Sequence, residues 1–366
     1  MKILYLTGQL ASHGGIERVT IMKLNYLAET DNEIYLSTYE QLGKTFIYPL
    51  SGKVKYVDLA VNYNVDYTRE SLYSKRCLKL VLQHIKRTHS LLKEIDPDII
   101  VVPNFGYEYW FLPFIKGHSS IIREYHDSQY NVNHASFKSV IDGFVQRFWN
   151  KIVVLTPEEK SYFKYRKNIE IIPNPVVLSD FTSDLSAKKI ISIGRINRVK
   201  GFEKLIEIAS LVHKSHPEWT FEIYGDGETE YMNTLKNQVH KEELDNVVKF
   251  NGRTSKVYEK LSDSSIYLCT SETESFGLTL VEAMSVGVPV VSFDCPNGPR
   301  NIIHNGLDGF LIKNGSITDA TNAINQIIEN DSMRHGLGEK AKENAARFGI
   351  YAVMKKWMIL FEKISK

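Results

Sequence analysis

Two glutamates lie on either side of a turn that is predicted to begin a helix. Seven residues separate Glu274 from Glu282, and the Ser-Phe-Gly turn between them leads into a helix expected to begin near Leu278. The first amides of a helix lack intrahelical partners and lie at the positive end of its dipole, so those of Gly277, Leu278 and Thr279 can bind a phosphate. A carboxylate in the first turns, here Glu282, can accept hydrogen bonds from the hydroxyls of a ribose. Each glutamate alone can equally be a capping or helix-surface residue.

The spacing of the glutamates predicts two different roles. If all eight positions were helical, the carboxylates would lie about 12 Å apart at a rise of about 1.5 Å per residue. The carboxyl pair of a glycosidase lies about 5 to 5.5 Å apart for retention and about 6.5 to 9.5 Å apart for inversion. Glu274 and Glu282 are therefore expected to contact different parts of one extended ligand.

A second group of residues supplies positive charge. Arg195 and Lys200 lie in GRINRVKG, directly after an apolar strand, and ligands of open α/β sheets bind at the carboxyl ends of strands. An arginine fork and a mobile lysine can neutralise a diphosphate, although both can also be ordinary surface charges. Gly14 and Gly15 can offer bare amides to a phosphate or form a simple loop. No DxD-like acidic pair stands at a strand end, so no metal ion is predicted.

These segments lie between alternating strands and helices. Short β-branched runs without polar alternates are typical of parallel strands covered on both faces, so the predicted fold class is α/β with two Rossmann-like, doubly wound sheets. The predicted strands are Ile3–Leu6, Glu33–Ser37, Ile99–Val102, Ile121–Arg123, Ile152–Leu155, Ile190–Ile193, Thr220–Tyr224, Val247–Phe250, Ile266–Cys269 and Val288–Phe293.

The length of 366 residues suggests about two domains. Pro173, Asn174 and Pro175 interrupt the pattern at the best boundary, so the predicted domains are residues 1–175 and 176–345, followed by a helical segment, 346–366. Tyr351–Lys366 has an apolar stripe at helical spacing that begins with Tyr351 and is expected to dock on one domain.

Composition excludes several classes of protein. With 45 basic and 43 acidic residues the net charge is +2, too balanced for a dedicated nucleic-acid binder. Three widely spaced cysteines without a CxxC pair disfavour a disulfide framework or a zinc site and fit a reducing cytoplasm. No run approaches the ~20 apolar residues of a spanning helix. Lys75–Lys93 is a basic amphipathic helix that either presents a solvated face opposite a core stripe or lies on an anionic membrane surface.

In their order along the chain, Gly14-Gly15, GRINRVKG, YGDG, VKFNG and ESFGLTLVEA closely resemble the motifs of the retaining glycosyltransferases of family 4. The resemblance implies the GT-B fold, in which two Rossmann-like domains face a central cleft and the last helix crosses back to the N-terminal domain. It also implies that the N-terminal domain binds the acceptor and that the C-terminal domain binds a nucleotide-sugar donor.

The resemblance assigns roles to single residues. Glu274 and Glu282 match an E-x7-E motif whose first member lies beside the donor sugar and whose second binds the ribose, and His126 in REYHDS matches a histidine near the reaction centre. Arg195 and Lys200 match the basic pair on the diphosphate, and Asn251 joins the ribose and base side of the pocket. The predicted catalytic residues are Glu274, His126, Arg195 and Lys200, and the predicted donor-binding residues are Gly14, Gly15, Arg195, Lys200, Gly252, Arg253, Glu274, Phe276, Gly277, Leu278, Thr279 and Glu282.

The segment Asp294–Arg300, DCPNGPR, looks like the C-P-x-G-P loop of a subgroup that builds bacterial surface polysaccharides, although Arg300 and Asn301 replace its usual acidic residue. The implied reaction moves a hexose or N-acetylhexosamine from a UDP-sugar to a hydroxyl of a glycan or lipid-linked glycan. The anomeric configuration is retained, and no metal or other cofactor is required. The implied setting is capsule, exopolysaccharide or lipopolysaccharide biosynthesis in the cytoplasm or at the inner face of the cytoplasmic membrane.

Three other classes compete with this interpretation. A nicotinamide-dependent oxidoreductase also uses paired Rossmann sheets, but no GxGxxG fingerprint is followed by an acidic residue ~20 positions later. A sugar-nucleotide epimerase of similar fold would change the sugar without an acceptor. A catalytically silent subunit would bind the sugar nucleotide and transfer nothing.

Overall fold

A computed structural model describes residues 1–63, 75–103, 106–128, 130, 137–163 and 167–365. Its contacts divide the chain into two units, Met1–Pro175 with Ile350–Lys366, and Val176–Gly349. Each unit is an α/β sheet with its own apolar core.

The first unit is built on parallel strands. Within the described residues they are β1 (Lys2–Thr7), β2 (Glu33–Thr38), β3 (Lys55–Asp58), β4 (Ile99–Val102), β5 (Ser120–Glu124), β6 (Lys151–Val154) and β7 (Ile169–Ile171). The sheet order is β3-β2-β1-β4-β5-β6-β7, so the winding reverses between β1 and β4. All four residues of β4 are buried, as expected for a strand covered on both faces. The helices are α1 (Gly15–Leu27), α2 (Lys75–Ile95), α3 (Glu108–Ile115), α4 (Phe137–Val145) and α5 (Pro157–Ser161), with a 3-10 helix at Gln146–Phe148.

The second unit repeats this architecture. Its strands are β8 (Lys189–Ile193), β9 (Thr220–Tyr224), β10 (Val248–Phe250), β11 (Ile266–Cys269), β12 (Val290–Phe293) and β13 (Gly309–Ile312). They are parallel in the order β10-β9-β8-β11-β12-β13, so the winding reverses between β8 and β11. The helices are α6 (Phe202–Ser215), α7 (Thr229–Lys241), α8 (Val257–Ser262), α9 (Leu278–Ser285), α10 (Ile317–Glu329) and α11 (Asp331–Ala345), with 3-10 helices at Arg198–Lys200, Pro299–Asn301 and Ala346–Phe348.

The last helix, α12 (Ile350–Ile364), returns to the first unit. Its buried residues Val353, Met354, Trp357, Leu360 and Phe361 join the core formed by β1 and α1. The predicted stripe was wrong for Tyr351, which is 78% exposed. Tyr351 lies outside the buried face, and its ring packs edge-on against Tyr26, with ring centroids 5.7 Å apart.

The predicted α/β class with two Rossmann-like sheets is confirmed, but β3, β7 and β13 were not predicted. All three are outermost strands of their sheets. An edge strand packs against fewer neighbours, and β3 is largely exposed, so these segments lack the continuous apolar run of a central strand. None of the described helices combines the length and apolarity that a membrane span requires.

Candidate active site

The second unit brings two predicted residues together where its winding reverses. Lys200 follows β8 and Glu274 follows β11, and these strands are neighbours. The Lys200 Nζ lies 2.5 Å from the Glu274 Oε1. Ligands of open α/β sheets bind outside the carboxyl ends of the strands at such a switch point. The ion pair therefore lies where a ligand of this sheet is expected.

Close packing of the two loops fixes the position of Lys200. The Asn197 side chain accepts a hydrogen bond of 3.2 Å from the Lys200 amide, and the chain then turns at Gly201, whose φ is +61°. A Cβ at Gly201 would lie 2.3 Å from the Thr270 carbonyl oxygen. The Thr270 hydroxyl also donates to the Lys200 carbonyl at 3.0 Å. Only glycine satisfies both the backbone angle and the close approach at this position.

The Glu274 carboxylate is held by two donors. Besides Lys200, the Ser271 hydroxyl donates to Oε1 at 2.7 Å. Both donors use Oε1, and among the described residues Oε2 has no hydrogen-bond partner. Burial by itself lowers the pKa of Lys200, but the charge of Glu274 outweighs it and the pKa lies above its ordinary value. Lys200 is therefore a cation at neutral pH, and Oε2 is available to a ligand.

The N-terminus of α9 lies directly after Glu274. Gly277 caps the helix in a left-handed conformation with φ +103°, and the amides of Leu278 and Thr279 are in its first turn, where no intrahelical acceptor exists. Buried Tyr267 of β11 donates to the Thr279 hydroxyl at 2.7 Å and so links the helix start to the strand. This arrangement provides a fixed anion-binding end of a helix beside a cation.

Two other predicted donor-binding residues are buried in the unit. Phe276 packs edge-on against Phe348, with ring centroids 5.4 Å apart, and Glu282 is fully buried within α9.

The predicted separation of about 12 Å between the carboxylates of Glu274 and Glu282 assumed a continuous helix from the first glutamate. That assumption was wrong, because Glu274 precedes α9, which begins at Leu278.

The loops after β9 and β10 contact each other at the same edge of the sheet. The Gly225 amide donates to the Gly252 carbonyl at 2.8 Å, and the Arg253 Nε lies 3.1 Å from an Asp226 carboxylate oxygen.

Arg195, the other predicted cation, is exposed and forms no ion pair within the described residues. Thus Lys200 has an acidic partner in the site, whereas Arg195 extends to solvent.

The segment Asp294–Arg300 holds the backbone of Glu274. The Gly298 amide donates to the Glu274 carbonyl at 2.9 Å, and the Glu274 amide donates to the Pro296 carbonyl at 3.4 Å. Arg300 forms a two-pronged pair with Asp294 at 2.9 and 3.0 Å. The loop thus positions the predicted catalytic glutamate, a role that its sequence alone did not reveal.

Three predicted residues belong to the first unit. His126 follows β5, is 9% exposed, and its Nε2 lies 3.2 Å from the Glu124 Oε2. Gly14 caps α1 and Gly15 begins it. A Cβ at Gly14 would lie 2.0 Å from the Glu17 Oε2, so the Glu17 carboxylate itself lies at the helix end that was predicted to offer bare amides.

Each unit is built on a Rossmann-like parallel sheet, and together the two units give the chain the GT-B fold. Comparison with solved structures supports this class: HepE from Anabaena, in complex with UDP and glucose, has a TM-score of 0.80 at 20% identity and covers 99% of each chain. A likeness at this identity shows the fold alone.

Comparison with sequences supports the activity class. Residues 179–344 match the family model described as glycosyl transferases group 1. An uncharacterized glycosyltransferase of Haemophilus influenzae is 26% identical over 97% of this chain and 98% of its own length. A poly(ribitol-phosphate) α-N-acetylglucosaminyltransferase of Staphylococcus aureus is 31% identical over 58% of this chain, but this match covers only 44% of the relative. These matches support the conclusion that the chain is a glycosyltransferase.

Proposed function

We propose that the protein is a retaining glycosyltransferase that moves a hexose or N-acetylhexosamine from a UDP-sugar to a hydroxyl of a glycan or lipid-linked glycan. The observation that carries the proposal is the Lys200–Glu274 pair at the strand switch point, beside the N-terminus of α9. The UDP and glucose bound by HepE and the N-acetylglucosaminyl transfer named for the Staphylococcus relative support this donor class. Surface-polysaccharide biosynthesis on the cytoplasmic side is the proposed setting.

In the proposed reaction the second unit binds the donor. Lys200, Arg195 and the first amides of α9 stabilise the negative charge that develops on the diphosphate as the bond from the sugar C1 to the phosphate oxygen breaks. Glu274 Oε2 accepts a hydrogen bond from a sugar hydroxyl. Because protein groups supply the positive charge, no metal ion is required, and EDTA should leave the rate unchanged.

The acceptor oxygen forms the new bond to C1 on the face from which the diphosphate departs, and the departing phosphate oxygen takes the acceptor proton. This same-face displacement retains the anomeric configuration without an enzymic nucleophile. His126 of the first unit contacts the donor sugar near the reacting carbon. Holding both substrates in place converts an encounter of three molecules into a step within one complex.

The basic helix α2 supports a proposed contact with an anionic membrane, where a lipid-linked acceptor would lie. Leu78 and Leu82 are 58% and 59% exposed, and the exposed side chains around them include Arg76, Lys79 and Lys86. Exposed leucines among basic residues are typical of a helix that lies in a membrane interface, because apolar burial and charge attraction then add.

A thermal-shift screen with nucleotide sugars tests the donor class. Binding raises the free energy of unfolding by RT ln(1 + [L]/Kd), about 2.7 kcal/mol at a hundredfold excess over Kd. UDP-sugars should stabilise the protein more than GDP- or ADP-sugars. Equal responses to all of them would contradict the proposed donor.

Transfer assays with matched variants test the site. Lys200→Met should lower the rate of transfer by about 10²- to 10³-fold, whereas Lys204→Met, which breaks the neighbouring Lys204–Glu272 pair of 3.1 Å, should retain it. Release of UDP with an altered sugar and no acceptor product would indicate an epimerase. Donor binding without any turnover would indicate a silent subunit.

A further inference from the structure

A buried row of three titratable side chains extends from α1 to His126. The Lys23 ammonium contacts the Glu124 Oε2, and the same oxygen lies 3.2 Å from the His126 Nε2. Lys23 is 0% exposed and Glu124 is 3% exposed. Burying two charges in this way is costly unless they are paired and hydrogen-bonded. Packing alone does not require charged side chains at these positions, so the Lys23–Glu124 pair indicates a functional role.

The Glu124 carboxylate constrains the imidazole. Burial opposes its ionisation, but Lys23 and His126 outweigh burial and lower the pKa of Glu124 to about 2. An ionised carboxylate only accepts hydrogen bonds, so the proton between the two groups is on the His126 Nε2. In the neutral ring Nδ1 then carries the lone pair, and no partner of Nδ1 is seen in the described part of the chain.

The C-terminal helix covers the other end of the row. The Lys23 Nζ lies 4.4 Å from the centroid of the Trp357 ring of α12 and 5.6 Å from that of Tyr5. Aromatic faces attract a desolvated ammonium. Burial lowers the pKa of Lys23, whereas the charge of Glu124 and its hydrogen bond act in the opposite direction. The aromatic faces therefore help Glu124 to hold Lys23 as an ammonium.

We propose that Lys23 and Glu124 are positioning residues that hold His126 as the Nε2-protonated tautomer, with Nδ1 free to accept a hydrogen bond from the donor sugar. The inference rests on the role proposed above for His126. Lys23 acts through Glu124, because without the cation the buried carboxyl would take up a proton and donate it to the ring. In a serine protease triad the equivalent change, Asp to Asn, leaves the geometry intact but selects the wrong tautomer and costs about 10⁴-fold in kcat.

The test combines kinetics with a direct reading of the tautomer. Glu124→Gln keeps the shape, but its amide group can donate to Nε2, so we expect Nδ1–H, a fall in kcat of about 100-fold or more, and a donor KM within about threefold of wild type. Ring-¹⁵N-labelled histidine at pH 8 reports the tautomer by NMR, and loss of a signal in His126→Asn assigns it among the 11 histidines. The wild type should show Nε2–H.

Two controls separate positioning from folding. Lys23→Met leaves the buried Glu124 carboxyl without its cation and can also destabilise the fold. The double variant Lys23→Met/Glu124→Gln, which has no buried charge, is therefore measured as well and should lose kcat while remaining folded. Lys151→Met breaks the Lys151–Glu170 pair of 2.6 Å at the opposite end of the strands and should keep both kcat and the tautomer.

The outcomes distinguish the two proposals. Full activity in His126→Asn would overturn the role of His126 itself. Loss of activity in His126→Asn, together with wild-type kcat or an unchanged ¹⁵N signature in Glu124→Gln and the double variant, would overturn the positioning role alone. An Nδ1–H or doubly protonated ring in the wild type would also overturn it.

Discussion

Glu108 is a buried carboxyl that we expect to lower the stability of the first unit as the pH rises. It is the first residue of α3 and is fully buried. Burial is the largest influence on its pKa and raises it from 4.5 to about 7, although Tyr39 and Arg123 act in the opposite direction. Since the folded state holds this proton more tightly than the unfolded state, the stabilisation is complete below pH 4.5 and is lost as the pH rises to about 7.

The magnitude follows from the two pKa values. Each pH unit between 4.5 and about 7 should lower the free energy of unfolding by about 1.4 kcal/mol, or about 3 kcal/mol in all. Glu108→Gln keeps the shape of the side chain and removes its titration. The difference in unfolding free energy, wild type minus variant, should therefore fall by about 3 kcal/mol between pH 4.5 and 7.5.

Urea denaturation followed by tryptophan fluorescence measures this difference. Trp110, Trp149 and Trp357 lie in the first unit, so a Trp219→Phe background confines the signal to that unit. Glu94→Gln, which removes an exposed carboxyl of α2, controls for the loss of one charge. Parallel pH curves for wild type and Glu108→Gln would refute the reasoning, because they would mean that the carboxyl is ionised in the folded unit.

Three further perturbations test the second unit and the α2 surface. Lys200→Met should lower kcat by about 10²- to 10³-fold, because in the proposed reaction it removes one donor to the developing diphosphate charge. An unchanged kcat in steady-state kinetics with a UDP-sugar would contradict this role. Gly201→Ala places a Cβ 2.3 Å from a backbone carbonyl oxygen at φ +61° and should lower the free energy of unfolding of the second unit by about 2 to 4 kcal/mol. Trp219 fluorescence in urea measures this change. A loss under about 1 kcal/mol would contradict the close packing. Leu78→Ser with Leu82→Ser should weaken sedimentation with vesicles containing anionic lipid at least about tenfold, and equal sedimentation would argue against membrane contact.

Central strands and candidate residues could be predicted because their signals are local. The apolar run Ile99–Val102 was predicted as a strand and is β4. Lys200 and Glu274 were singled out because each follows an apolar run, where a parallel strand presents its carboxyl end. Their direct contact was not predictable, because it depends on β8 and β11 being neighbours in the sheet.

Other features were missed because no local pattern marks them. Lys23 is a buried cation on an amphipathic helix. In the sequence it cannot be distinguished from a lysine on the exposed face of such a helix. Its partner Glu124 is 101 residues away. Glu108 stands in the apolar stretch EYWFLPFI, where the sequence does not show that an acid is fully enclosed.

The sequence by itself determined the α/β class, most of the central strands and the residue types at the strand ends, because hydrophobic periodicity and turn residues act over a few positions. Only the tertiary structure decided which strand ends meet. Strand order joins Lys200 to Glu274 across 74 residues, and packing of the last helix completes the enclosure of Lys23 by Trp357. Such contacts depend on chain topology and on exclusion of water, and both are properties of the folded chain.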